Sequence, residues 1–361
     1  MNGLDWDFSN WNNTDSEYNE SAFLDDGVYS AESCTEEAGG MQLFQKVFLP
    51  LVYGLVFVLG AVGNGVMVTV LLRHKGSLRI TEIYLVHLGL ADLLLLSTFP
   101  FVVAKELAGW VFGVFLCKLL NLLAYLNLLC SSLLLACISF DRYLAIVHAI
   151  PSLHNRRPRT VHLTCALLWL LCLGLSAPEA VFATVTNHPD SGQPQCSHSG
   201  VDSSDWTLLS RSLMHLLGFF LPLAVMGYCY AAVVLTLCRS QRSLEKQGAI
   251  RLALVVTAVF SLCWLPHNLA VLLDTLVLLG PLAHLRCSSA LKRTLVVSES
   301  IGYMHSCLNP ILYAFVGVRF RKELYQLLGK WGVCRECLPA RRSSRASYSE
   351  GLTTTTNTKV M

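Results

Sequence analysis

The sequence predicts an all-α membrane protein, a seven-transmembrane helix bundle with a short amphipathic helix after the seventh span. Composition is the first reason: of 361 residues, 53% are hydrophobic and only 14% charged, against about 25% charged in an ordinary soluble domain. Mean hydropathy is +0.51. The second reason is length. Seven apolar runs, residues 47–72, 83–104, 119–140, 160–183, 212–237, 252–273 and 294–318, reach bilayer-crossing size, which takes about 20 residues in a helix. The third is charge placement. Lys and Arg crowd connections 73–79, 148–159 and 239–251, the first, third and fifth, so all three lie on one side, which the positive-inside tendency makes cytoplasmic.

Each run reads as a helix because lipid offers no partner for a free backbone N–H or C=O. The runs are too long for strands and do not alternate. The chain opens without a basic n-region and apolar h-region, so the first run is expected to act as its own targeting signal. An odd number of spans then puts the N-terminus outside and the C-terminus inside. Four parts follow: an acidic extracellular tail (1–45), the bundle (46–317), a membrane-surface helix (318–331) and a cytoplasmic tail (332–361).

The ends carry opposite charge. Residues 1–40 hold ten acids, Asp25, Asp26 and Glu32 among them, and no Lys or Arg. Such a stretch has little apolar surface to bury and is expected to be disordered. Asn12 and Asn19 begin glycosylation sequons, which are used only outside. Past the seventh run, Phe320, Leu324, Leu327, Leu328 and Trp331 recur at helical spacing among Arg321, Lys322 and Lys330, the pattern of a helix lying on membrane lipid. Cys334 and Cys337 follow and are candidates for palmitoylation. Ser343, Ser344, Ser347 and Ser349 form a hydroxyl-rich run beside basic residues. Phosphates there would reverse the local charge and create a docking surface.

Four of the fourteen cysteines, Cys34, Cys117, Cys196 and Cys287, fall on the oxidising side. Four allow three pairings, and spacing alone leaves all three open. The other ten sit in spans or on the cytoplasmic side, where packing as small apolar residues is the default.

Polar groups inside spans are costly and are read as functional. Asp92 lies mid-run in span two and Glu299 in span seven; these are the carboxylates counted inside the bundle. Asn64, Asn127, Ser131, Ser306 and Asn309 are oxygen-bearing neighbours for Asp92. Each can instead make a helix–helix hydrogen bond. Together with one carboxylate they suit a small hard cation such as sodium, as an allosteric ion; no cofactor or structural metal is expected. Asp141-Arg142 closes span three at its cytoplasmic end, where the pair reads either as a lock on Arg142 or as an arginine snorkelling to the interface. Pro50, Pro100, Pro178, Pro222, Pro266 and Pro310 each delete a backbone hydrogen bond within a span.

Gly63-Asn64, Leu90-Ala91-Asp92, Asp141-Arg142-Tyr143, Cys263-Trp264-Leu265-Pro266 and Asn309-Pro310-Ile311-Leu312-Tyr313 occur in that order and at matching depths. In these motifs the chain resembles a rhodopsin-like G-protein-coupled receptor over residues 47–331. Thr98-Phe99-Pro100, Glu299 and His305-Ser306-Cys307-Leu308-Asn309-Pro310 are similar to chemokine receptors of the CXC group. The resemblance implies a basic CXC chemokine as ligand, a heterotrimeric G protein of the Gi class, and arrestin and receptor kinases as regulators, at the plasma membrane of a leukocyte. It implies disulfides Cys117–Cys196 and Cys34–Cys287, and ligand contacts at Glu299, Tyr125, His267 and the acidic tail. Tyr18 and Tyr29, in acidic surroundings, are candidates for sulfation. It also implies a switch in which Arg142 leaves Asp141 for Tyr230 and Tyr313, with Tyr143, Trp264, Asn309 and Pro310 as its moving parts. His267 and Val102 replace aromatic residues common in relatives, so the ligand cavity departs from theirs. A decoy chemokine receptor and a peptide receptor of another rhodopsin-like subfamily are the alternatives. No internal repeat supports a transporter, no mid-span Lys in span seven supports a retinal pigment, no nucleophile–base set supports an enzyme, and no nucleic-acid partner is expected.

Overall fold

In the computed structural model the described residues are 24–73, 78–148, 158–187, 192–198, 203–239, 248–285, 288–316 and 324–325. Among the described residues, six helical stretches are long and apolar enough to cross a membrane: Gly40–Leu72, Ile80–Ala108, Gly113–Ile146, Arg159–Phe182, Leu208–Arg239 and Ile250–Leu278. A further helix, Ser289–Val316, is equally long and packs against the first and sixth spans. Its apolarity is diluted by Ser298, Ser300, His305, Ser306 and Asn309, all buried. These residues turn toward the other helices, so span seven trades hydropathy for an inward polar face. We number the spans one to seven in this order.

Span one is the end of a longer helix, Leu24–Leu72. The acidic stretch expected to be disordered is therefore helical from Leu24 on. Extending a formed helix fixes one residue per hydrogen bond and escapes the cost of nucleation. The surface helix expected over 318–331 lies outside the described residues except for Leu324 and Tyr325, which are helical.

Proline sets the irregularities. In span two the helix breaks at Ser97-Thr98 and restarts at Phe99 with Pro100 in its first turn. The hydroxyls of Ser97 and Thr98 take the carbonyls of Leu94 and Leu95 at 2.6 and 2.7 Å, replacing bonds the ladder loses there. In span five a π-helical segment, Met214–Phe220, runs up to Pro222. Pro222 offers no N–H, and wider turns reset the bonding register ahead of it. Pro50, Pro178, Pro266 and Pro310 lie inside continuous helices.

The core is contiguous through spans two to seven, with Leu88, Leu134, Cys130 and Tyr313 among its buried members. Leucines such as Leu51, Leu167 and Leu262 point away from the bundle, where lipid covers them. Between spans four and five, strands β1 (Ala183–Asn187) and β2 (Pro194–His198) pair antiparallel, Val185 opposite Cys196. A disulfide joins Cys196 to Cys117 at the start of span three. Lys118 Nζ donates to the carbonyls of Ala180 and Val181 at 2.8 and 2.7 Å. The hairpin is thus anchored across one end of the bundle, and Asp141 and Arg142 lie at the opposite end.

Candidate functional site

Polar and aromatic groups line the hairpin half of the bundle. Tyr303 Oη donates to Glu299 Oε1 one turn away, at 3.3 Å, and Glu299 has no cationic partner among the described residues. The Tyr303 ring meets Trp264 edge-on at 5.4 Å and also touches Tyr53 and Phe99, so the carboxylate rests on an aromatic stack that reaches Trp264. His267 lies one turn above Trp264 with Nδ1 3.4 Å from Ser298 Oγ. Tyr125 is half-buried on span three. Glu299, His267 and Tyr125 thus belong to one half of the bundle.

A carboxylate missed by sequence reasoning completes this half. Glu179 in span four is buried and accepts from Ser210 Oγ of span five, so Asp92 and Glu299 are not the only acids inside. Its signal was visible in Pro178-Glu179, an acid within an apolar run. Nearer the hairpin end, Arg211 Nη2 pairs with Asp274 Oδ2 at 2.8 Å, joining spans five and six. Neither residue stood out, because each lies at a span's edge, where charge is ordinary.

Deeper in, the polar residues of span seven meet Asp92. The Asp92 carboxylate is fully buried and accepts from Asn127 Nδ2 at 3.1 Å and Asn309 Nδ2 at 2.9 Å. Asn64 Nδ2 binds the Ser306 carbonyl at 2.7 Å. His305 stands between this cluster and Trp264. Its Nε2 faces Asp92 Oδ1 at 3.5 Å, and its Nδ1 lies 3.2 Å from Trp264 Nε1 and 2.6 Å from the Gly302 carbonyl. The Trp264 Nε1–H donates to the ring, tying span six to span seven beside the Asp92 cluster. The oxygens Asn64 Oδ1, Asn127 Oδ1, Ser131 Oγ and Asn309 Oδ1 are buried without a hydrogen-bond partner among the described residues. Such acceptors beside one carboxylate are the donor chemistry of a monovalent hard cation; a divalent one asks for more negative charge.

Close approach holds this region together. A Cβ at Gly302 would meet the Trp264 ring at 2.9 Å, whereas one at Gly65 meets nothing within 4 Å. Gly302→Ala is expected to lower the melting midpoint of the solubilised protein by several degrees. Gly65→Ala, measured alongside in a thermal-shift assay, should leave it unchanged.

At the opposite end Arg142 Nη2 pairs with Asp141 Oδ2 at 2.5 Å, the arrangement the resemblance assigns to rest. The hydroxyls of Tyr230 and Tyr313 are buried and unpartnered among the described residues. Tyr143 Oη and His148 Nε2 are 2.9 Å apart. Asn12, Tyr18, Asn19, Cys287, Cys334, Cys337, Ser343, Ser344, Ser347 and Ser349 lie outside the described residues; Asp25, Asp26, Tyr29, Glu32 and Cys34 lie on the first helix, where only backbone is described.

The chain matches the family described as "7 transmembrane receptor (rhodopsin family)" over residues 63–313. It is 40% identical to C-X-C chemokine receptor type 5 of Homo sapiens, over 99% of this chain and 96% of that protein. It is 42% identical to type 3 of Bos taurus, over 85% and 84%, and 37% identical to type 2 of Pan troglodytes, over 96% and 97%. A seven-helix bundle of this kind, with a buried carboxylate in span two and an Asp-Arg pair closing span three, defines a rhodopsin-family seven-transmembrane receptor. The chain belongs to that family and, within it, to the C-X-C chemokine receptors, multi-pass plasma-membrane proteins that are receptors and not enzymes.

Proposed function

We propose that the chain is a cell-surface receptor for a basic C-X-C chemokine, that it couples to G proteins of the Gi class, and that it directs leukocyte migration, B-cell homing in particular. Its hairpin end faces outward and its Asp141–Arg142 end faces the cytoplasm. The observation that carries the reading is the Arg142–Asp141 pair at 2.5 Å, together with the buried hydroxyls of Tyr230 and Tyr313, which have no hydrogen-bond partner among the described residues. A signalling receptor needs a cation with a resting partner and a second place to go, a bistable element biased from the far side of the membrane. A decoy receptor has no use for it. Glu299 receives a basic group of the ligand. Asp92, Asn127, Ser131 and Asn309 hold sodium in the resting state, where the ion supplies the positive charge that Asp92 lacks. Receptor kinases and arrestin act on the serine-rich tail.

The acidic tail contributes attraction at a distance. Such attraction speeds encounter more than it deepens the complex, and it is screened over a Debye length of about 8 Å at physiological salt. Neutralising Asp25, Asp26 and Glu32 together is expected to slow chemokine association and flatten its salt dependence, with maximal calcium release unchanged at saturation. A screen of basic C-X-C chemokines by calcium flux and radioligand association checks both points. No response to any of them would overturn the reading.

A further inference from the structure

We propose that Cys137 and Cys165, on the facing sides of spans three and four, are an oxidisable thiol pair that a hydroperoxide dissolved in the lipid converts to a disulfide, and that this cross-link lowers signalling. The effect on signalling rests on the proposed receptor reading; the cross-link itself does not. The seam between the two spans supplies the geometry. On span four the residues Val161, Cys165, Leu168, Cys172, Ser176 and Glu179 are buried. They recur three and four apart, which draws one stripe along a helix. Consecutive spans run in opposite directions, and each of these two holds a pair of cysteines seven residues apart. Seven residues return to the same face after two turns, about 10 Å along the axis. The register that sets Cys172 against Cys130 therefore also sets Cys165 against Cys137. Both meetings occur: the Cys130 and Cys172 side chains interact directly, and Cys165 lies within electrostatic range of Cys137. All four are reduced thiols.

Exposure separates the two pairs. Cys130, Cys165 and Cys172 are fully buried, whereas Cys137 is partly exposed within its span, and its exposed part meets lipid. A bilayer disfavours ions, so thiolate chemistry with a charged, water-borne oxidant is slow there. An uncharged hydroperoxide travels in the lipid itself. The Cys137 sulfur attacks the outer peroxide oxygen, the O–O bond breaks, and the thiol proton leaves on the other oxygen as an alcohol. Cys137 is then a sulfenic acid. The Cys165 sulfur, already opposite, attacks the Cys137 sulfur. The S–O bond breaks, and the hydroxyl leaves with the Cys165 proton as water. Two thiols have given up two electrons to one peroxide, and reactants and products are all uncharged. Cys165 meets only its neighbour, so its burial is no obstacle. The new bond lies one turn before Asp141 and closes a loop over the basic connection 148–159. Closing that loop restricts the connection and ties span three where the Arg142 pair has to move.

The test treats the full-length chain in phosphatidylcholine vesicles with cumene hydroperoxide, which partitions into lipid, or with glutathione disulfide, which is charged and stays in water. Peptides are then read by mass spectrometry without reduction. A linked Cys137–Cys165 peptide is expected in most chains after the hydroperoxide and not after glutathione disulfide. Chemokine-driven GTP exchange should fall at least about threefold on oxidation, with ligand affinity held within about twofold. Cys137→Ala should start from wild-type exchange and keep it through the same treatment. A link between Cys130 and Cys172 instead, oxidation that stops at Cys137, the same link after glutathione disulfide, or no link at all would overturn the site. A link that leaves exchange unmoved would overturn its regulatory effect. A wild-type chain that forms the link but answers no chemokine even when reduced would overturn the receptor reading and leave the site standing.

Discussion

Glu299→Gln is expected to lower chemokine potency in GTP exchange by about tenfold or more while ligand binding falls about threefold or less, because one charge couples two sites and such couplings range from about 5- to 150-fold. The substitution preserves size and the hydrogen bond from Tyr303, so packing is unaffected. What it removes is the unpaired negative charge. In the resting bundle that charge is half-buried without a cationic partner among the described residues, an unfavourable position. A basic ligand group relieves it only in the bound state, and a ligand shifts a two-state protein only by its differential affinity for the states. The stack from Tyr303 to Trp264 carries the change toward span six. The measurement is a pair of dose curves, radioligand binding and exchange, on wild type and variant. Parallel losses in both would show that Glu299 serves binding alone.

Asp92→Asn is expected to abolish the effect of sodium on agonist affinity. In wild type, replacing potassium by sodium should lower that affinity about fivefold, the small end of ordinary allosteric coupling. The buried carboxylate has two amide donors, and in the proposed resting state an ion near the four oxygens that lack a hydrogen-bond partner among the described residues would balance the remaining charge. Asn removes the charge and with it the reason for the ion to enter. Agonist affinity in potassium should be the same for both proteins or higher in the variant. If the variant keeps the full sodium response, the ion binds elsewhere.

How much of this was legible beforehand depends on the range of the interaction. Span positions rest on local composition, and the apolar helices of the structure cover the first six runs except for Ala183, which opens β1. Span seven is instructive. Its buried face carries Ser298, His305, Ser306 and Asn309, so hydropathy understates it, yet the same residues had pointed to a functional interior. Asp92 and Glu299 were visible because an acid in an apolar run is conspicuous. The partnerships were not. That His305 stands between Asp92 and Trp264, or that Asn268 of span six meets His215 of span five at 2.7 Å, depends on helix rotation and on the π turn ahead of Pro222. Those are set by tertiary packing and not by spacing along one helix. Glu179 shows the opposite case, a local signal that stood beside a proline and went unread. The helix from Leu24 was hidden for a further reason: composition reports what a stretch can bury, whereas a helix already nucleated in the adjoining span needs little burial to continue.

In the proposed function the bundle transmits a chemokine signal through Arg142. The most direct measurement is GTP exchange on a purified Gi heterotrimer with the receptor in lipid vesicles, with and without a basic C-X-C chemokine, for wild type and Arg142→Ala. Chemokine-dependent acceleration is expected for wild type and none for Arg142→Ala, with both proteins binding the ligand. Chemokine binding by wild type without any acceleration of exchange would contradict it and identify a decoy.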